Sequence, residues 1–245
     1  MYVRNDFENQ LINDIVKSPL LAKKDYVYSD LGMGLFRFVT ERLTNMTFPE
    51  YLNREFYKPL GAVSTGFKPY ERYPIPTIAP TEDDQTFRKK LLQGFVHDEM
   101  AAVLGGVSGN AGLFSTANDL AKVMQMYLQM GYYGGKQYVS TATIKEFTKV
   151  QFPNSTNRRA LGFDKPNPGI KGQKNKFPAA DASPESYGHT GYTGTFVWMD
   201  PENQLMFIFL SNRVYPSRSH SGISDLNIRP AMHQAIYDAI KKGLN

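Results

Sequence analysis

Apolar residues recur at helical spacing over residues 7–16, where Phe7, Leu11, Ile12, Ile15 and Val16 share one face. Leu31, Leu35, Phe36, Phe38, Val39 and Leu43 do the same over residues 31–43. Pro19 ends the first helix, because the residue before a proline is pushed out of the helical region. A short extended piece over residues 25–28 separates the two, and Ser29 or Asp30 is placed to cap the second. Thr47-Phe48-Pro49-Glu50 predicts a third helix start, with threonine as N-cap, an early proline and glutamate three residues on; it should run to about Tyr57 and stop before Pro59. Ser115 to Asp119 reads as the cap of a helix over 120–130, and Ser140 as the cap of one over 141–150. The last helix, over 230–242, has Met232, Ala235, Ile236, Ala239 and Ile240 as its expected apolar face.

Between these helices the texture changes. Residues 62–93 carry Pro69, Pro74, Pro76 and Pro80 and the polar run Glu82-Asp83-Asp84, which predicts a long irregular excursion with room for one short strand. Residues 153–186, rich in Pro, Asn, Gly and Lys, predict a surface loop. Residues 195–199 and 205–210 are β-rich and flank the turn Asp200-Pro201-Glu202-Asn203, which predicts an antiparallel hairpin. The second strand, apolar throughout, should be covered on both faces. Helices grouped ahead of antiparallel strands define an α+β fold, and no internal repeat is visible.

The 245 residues suffice for one large domain or two small ones. Aromatic residues make up 13%, a share that fits a thick core or a cleft for organic ligands. The net charge of +5 is spread over short clusters such as Arg88-Lys89-Lys90 and Lys171 to Lys176, the pattern of a solvated surface and not of a nucleic-acid interface. The chain has no cysteine, which excludes disulfides, thiolate metal sites and a cysteine nucleophile. Gly105-Gly106 lacks the Gly-Lys-Ser/Thr of a phosphate loop, so no nucleotide cofactor is expected. His97-Asp98-Glu99 reads as structural hydrogen bonding, since adjacent residues rarely converge on one ion; no metal is expected. Trp198 reads as core. The polar start of the sequence has no apolar signal segment, and no stretch reaches membrane-spanning length.

Two short motifs carry candidate chemistry. Tyr28-Ser29-Asp30 stands at a helix entrance, and His189-Thr190-Gly191 opens the β-rich region. Each alone is weak, since a tyrosine before a helix usually packs and a histidine beside glycine usually sits in a loop.

Taken in order, Tyr-Ser-Asp-Leu-Gly at 28–32, Phe-Tyr-Lys-Pro-Leu-Gly at 56–61, Gly-Asn-Ala-Gly-Leu-Phe-Ser-Thr-Ala-Asn-Asp-Leu at 109–120 and Gly-His-Thr-Gly-Tyr-Thr-Gly at 188–194 resemble the serine β-lactamase-like family. That family includes penicillin-binding D-alanyl-D-alanine peptidases, class C β-lactamases and related esterases. The resemblance runs from about residue 26 to the end of the chain. It implies a β-lactamase/transpeptidase-like antiparallel sheet flanked by helices, with a helical subdomain. On this reading residues 1–245 form a single partial domain, mainly helical with long loops over 1–185, with the sheet hairpin and last helix over 186–245.

The family works with a Ser-x-x-Lys nucleophile motif, a tyrosine motif and a Lys-Thr-Gly or His-Thr-Gly strand. Tyr28 then takes the tyrosine's proton-exchanging role, and His189 keeps it electrostatically primed. Thr190 and Gly191 belong to the third element, with Thr190 bonding a substrate carboxylate. Backbone N–H groups at Tyr192 or Thr193 contribute to an oxyanion hole. Asp30 stands where the family often has asparagine and cannot donate a bond when ionised, so it is either a substrate contact or a plain helix cap. Asn110 either faces the cleft or packs in its turn.

No serine in the chain has a lysine three residues later. Ser29 and Ser108 lack an adjacent base, which a weak serine needs. The chain is therefore expected to start inside a domain, without the N-terminal strands and nucleophile helix, and to be inactive alone. Two functions stay open: a fragment of a serine acyl-transfer hydrolase acting on peptidoglycan-like peptides, β-lactams or esters, or a non-catalytic peptidoglycan- or peptide-binding domain of the same fold. An upstream domain, a location outside the cytoplasmic membrane, and an exposed sheet edge that favours self-association or lowers stability follow from the same resemblance.

Overall fold

The first apolar stripe forms helix α1 (Phe7–Lys17) in the computed structural model, which describes residues 3–22, 26–155, 157–167 and 177–243. The second stripe breaks in two, α2 (Leu31–Gly34) and α3 (Phe36–Thr44), around a tight turn in which Leu35 N bonds Gly32 O at 3.3 Å. Ser29 Oγ accepts from Leu31 N at 3.3 Å, whereas the Asp30 side chain caps nothing. The Thr47 capping box forms in full at α4 (Phe48–Leu52), and the helix runs on through a π-helical turn, Asn53–Tyr57. Of the expected extended piece, Asp25 lies outside the described residues.

Residues 62–93 depart from expectation. Two strands, β1 (Pro80–Asp84) and β2 (Lys90–Gln93), pair as an antiparallel ribbon. The polar run is a strand because tertiary partners take its charges inward. Glu82, 3% exposed, lies 3.0 Å from His97 Nε2. Asp84 accepts from Thr86 N, Phe87 N and Arg88 N and from Arg88 Nε, while Arg88 caps the carbonyls of Val96 and His97. Burial alone would raise the Asp84 carboxyl, but these donors hold it well below the ordinary aspartate value. Asp98 then caps α5 (Glu99–Val103) by accepting from Ala101 N at 2.7 Å. These elements belong to the first of two compact units, residues 1–58 and 63–115; the second comprises 59–62 and 116–245.

In the second unit Thr116 caps α6 (Ala117–Leu128), and Ser140 caps α7 (Thr141–Thr148). Between them lies a ribbon absent from the sequence reading, β3 (Tyr132–Tyr133) with β4 (Lys136–Gln137). Three antiparallel strands follow in spatial order, β5 (Tyr187–Thr190), β6 (Phe196–Asp200) and β7 (Leu205–Phe209). Period-two alternation sorts their side chains. Tyr187, Met199, Val197, Met206 and Ile208 meet α6 residues Leu120, Val123 and Met124 on one face. Phe196, Trp198, Phe207 and Phe209 gather with Phe177 on the other. Strand β7 is therefore covered on both faces, and Trp198 is fully buried core. Among the described residues only β6 pairs with β7.

After α8 (Gly222–Asp225) comes the last helix, α9 (Ile228–Lys241). Its orientation reverses the expected one. Met232, Ile236 and Ile240 are exposed, while His233 and Tyr237 are buried. The His233 ring stacks on Phe207 at 4.6 Å, so aromatic surface packs where the apolar stripe was expected to. The 153–186 segment is also not plain surface loop. Residues 168–176 and Thr156 lie outside the described residues, but Ala160, Asp164, Lys165, Ala179, Ser183 and Ser186 are buried.

Candidate active site

His189 and Thr190 end strand β5, paired across to Val197 and Phe196 of β6. Gly188, just before them, sits where no side chain fits: a Cβ there would lie 2.2 Å from Val197 O and 2.5 Å from Trp198 Cε3. The other edge of the strand meets Asp164, whose N–H donates to Gly188 O at 2.7 Å and whose carbonyl accepts from Gly188 N at 3.1 Å. Both sides of the backbone at Gly188 are thus committed, and His189 leaves a fixed base.

The strand turns through Gly191 to Gly194. Gly191 N donates to Thr195 O at 2.8 Å, and Gly194 N to Gly191 O at 3.1 Å. Two arginines tie the turn down. Arg213 donates from its backbone N to Thr193 O and from Nε to Tyr192 O, each at 2.8 Å, and its guanidinium lies 4.3 Å from the Tyr192 ring centroid. Arg229 donates to Gly191 O at 3.2 Å. Tyr192 itself is exposed. The unit therefore presents a half-buried His189 and Thr190 at a strand end, followed by a braced turn rich in positive charge.

His189 has close neighbours that the sequence reading passed over. Its Nε2 is 2.9 Å from Arg159 Nη1, and its Nδ1 is 2.8 Å from Thr190 O. Asp164, 2% exposed, lies 2.5 Å from Arg159 Nη1 and accepts from Arg158 Nη2 at 3.1 Å. Arg158 and Arg159 are a conspicuous pair in the sequence, but nothing local links them to a histidine 30 residues on.

In the first unit Tyr28 is exposed, ahead of α2, with Ser29 and Asp30 also exposed beside it. The glycine-rich turn packs onto α2: a Cβ on Gly109 would lie 2.1 Å from Met33 O, so only glycine admits this approach. Ser108 is buried and donates to Asn110 Oδ1 at 2.6 Å. That bond spends one acceptor of the half-buried Asn110 on its own turn. Among the described residues neither Ser29 nor Ser108 is bonded to a basic side chain. Among the described residues no group of three or more His, Cys, Asp or Glu could hold a metal ion, and no helix is long and apolar enough to cross a membrane.

Residues 3–228 match the family described as "Beta-lactamase". Among curated proteins the chain is similar to a "Putative D-alanyl-D-alanine carboxypeptidase" of Escherichia coli (strain K12), 33% identical over 93% of this chain and 54% of that protein. It is 34% identical to one of the same name from Salmonella gallinarum, over 88% of this chain and 51% of that protein. The chain thus spans about half the length of the curated relatives it matches. Among solved structures it is similar to a "putative beta-lactamase" from Bacteroides dorei, with TM-score 0.58, 14% identity and coverage of 90% and 62%. It is also similar to a penicillin-binding protein homolog from Caulobacter crescentus, with TM-score 0.57, 17% identity and coverage of 83% and 58%. At these identities the structural likeness establishes fold alone, and that fold is the α+β, β-lactamase/transpeptidase-like arrangement of helices and antiparallel sheets.

Proposed function

The chain belongs to the beta-lactamase family, and from that premise we propose that it carries two of the three side-chain elements of a serine acyl-transfer site, with Tyr28 as the proton-exchanging phenol and His189-Thr190-Gly191 as the strand element. The observation that carries this reading is the placement of His189 and Thr190 at the end of a strand fixed on both edges, next to a turn braced by Arg213 and Arg229. Fixed donors beside a strand end suit a ligand that is anionic or becomes so in the transition state.

The substrate class is a D-alanyl peptide of the peptidoglycan kind, with β-lactams as covalent mimics. Thr190 bonds the terminal carboxylate, and backbone N–H groups at Tyr192 and Thr193 polarise the scissile carbonyl. Asn110, through the amide nitrogen that Ser108 leaves unused, is a further substrate donor; Asp30 is a weaker candidate because it accepts only. The serine nucleophile is not among these 245 residues, so the chain by itself performs no acylation. Its work is then outside the cytoplasmic membrane, where peptidoglycan is. The competing reading, a binding domain without chemistry, is favoured by one observation, the absence of any Ser-x-x-Lys.

Intact-mass spectrometry after incubation with benzylpenicillin tests both. The chain alone should gain no mass, and the same chain joined to a segment bearing Ser-x-x-Lys from its own gene should gain one penicilloyl group. An adduct on the chain alone overturns the assignment of the nucleophile elsewhere. No adduct on either leaves the binding domain.

A further inference from the structure

A guanidinium has five N–H donors, no acceptor, and keeps its charge at any pH a fold survives. The contact between Arg159 Nη1 and His189 Nε2, 2.9 Å long, therefore runs in one direction, from arginine to the nitrogen lone pair. With Nε2 bare, the ring proton sits on Nδ1, where Thr190 O is 2.8 Å away and can only accept. The two contacts demand the same tautomer. The opposite tautomer would set N–H against N–H on one side and lone pair against lone pair on the other.

The arginine is itself held. Asp164 Oδ1 is 2.5 Å from the same Nη1, and Oδ2 takes Arg158 Nη2 at 3.1 Å. Arg158 also donates to Lys165 O at 2.9 Å. The Asp164 backbone is bonded in both directions to Gly188, the residue before His189. The brace and the histidine thus share one backbone register.

We propose that Arg159 is a positioning residue for His189: it fixes the ring as its Nδ1–H tautomer beside the Thr190 strand end. This deepens the acyl-transfer reading and rests on it for the use of His189. A ring locked in this way turns no lone pair toward a ligand without first breaking the arginine contact, so His189 acts by orienting and polarising and not by taking a proton.

The test is the nitrogen spectrum of this chain. Long-range 1H–15N correlation at pH 8 distinguishes the two tautomers of each of the four histidines, and the His189 signals are assigned by their loss in His189→Gln. The expected wild-type result is protonated Nδ1 and bare Nε2. Arg159→Met should weaken that preference, since only the Thr190 O contact then favours it, with a measurable Nε2–H fraction appearing, and Arg159→Lys should restore it. A purely structural ion pair would lower the melting temperature of Arg159→Met and leave the tautomer unchanged, which overturns the proposal. Should Arg159→Met fail to fold, the wild-type spectrum alone decides, since an Nε2–H ring there is incompatible with the contact. Penicillin acylation enters none of these readings, so failure here is separate from failure of the proposed reaction.

Discussion

The phenol of Tyr237 donates a 2.6 Å hydrogen bond to Asp200 Oδ2, joining the last helix to the end of strand β6. Asp200 also accepts from Ser183 N and Oγ and from Asn203 N and Nδ2. Burial alone would raise its carboxyl, but these bonds outweigh burial and hold it below the ordinary aspartate value. Burial pushes the Tyr237 phenol up, and the carboxylate it faces pushes it further. Tyr237→Phe should cost about 1.5–3 kcal/mol, the range for a hydrogen bond to a charged group. Asp200→Ala should cost more, because several buried donors lose their acceptor at once. Urea unfolding of both variants measures the difference.

Acid should loosen the second unit before Asp200 protonates. His233 is fully buried, and burial, partly opposed by Asp200 and by the Pro178 backbone, pushes its pKa down to about 4 from 6.5. A histidine depressed in the fold is favoured neutral there. Stability is therefore intact above pH 6.5 and falls as pH drops from 6.5 toward 4, by about 3 kcal/mol if the shift is fully expressed. Asp200, with its lowered carboxyl, loses its contribution only below the ordinary aspartate range. Urea melts from pH 8 to 4 should show the slope in wild type and a flatter one in His233→Phe; equal slopes would refute the assignment to His233.

Gly188→Ala tests how far the site depends on its backbone. The added Cβ meets the Val197 carbonyl at 2.2 Å and the Trp198 ring at 2.5 Å, neither of them a flexible chain end. The strand has to shift, and overpacking of this kind costs roughly 1–3 kcal/mol or more. A lower melting temperature together with moved His189 and Thr190 resonances is the expected result.

In a polypeptide that also carries Ser-x-x-Lys, Tyr28→Phe should slow penicillin acylation by about 10²–10⁴-fold, the usual contribution of a positioned proton donor and acceptor. Stability should hardly change, since Tyr28 is exposed. Stopped-flow acylation alongside a thermal melt separates the two effects.

Strand β7 has its outer edge toward no other strand among the described residues. Unpaired edges template association. Sedimentation velocity over a concentration series should show reversible self-association of this chain, weakened by Leu210→Lys, an exposed residue at the end of that edge; a monomer at every concentration would dispose of the idea.

What could be read from the sequence was local. The Thr47 capping box, the Ser140 cap and the Asp200 to Asn203 turn are decided within four residues, and each formed where expected. The motifs Tyr28-Ser29-Asp30 and His189-Thr190-Gly191 were visible for the same reason. Strand β1 was hidden because Glu82 and Asp84 look solvated until His97 and Arg88 are brought to them. Helix α9 misled because His233 and Tyr237 count as polar by type, although their rings pack like aromatic core. Arg159 could not be tied to His189, since the connection passes through Asp164 and the backbone of Gly188 and not through any pattern in the chain.

The two-sided pairing at Gly188 has a thermodynamic corollary for ligands. Groups on strand β5 have already lost their freedom in folding, so a ligand that meets His189 and Thr190 forfeits little entropy in organising them. Immobilising a free side chain on binding takes about 0.5–1.5 kcal/mol out of the binding free energy, a cost these groups largely avoid. Small anions that meet only the strand end should therefore bind with little loss to ordering of the protein.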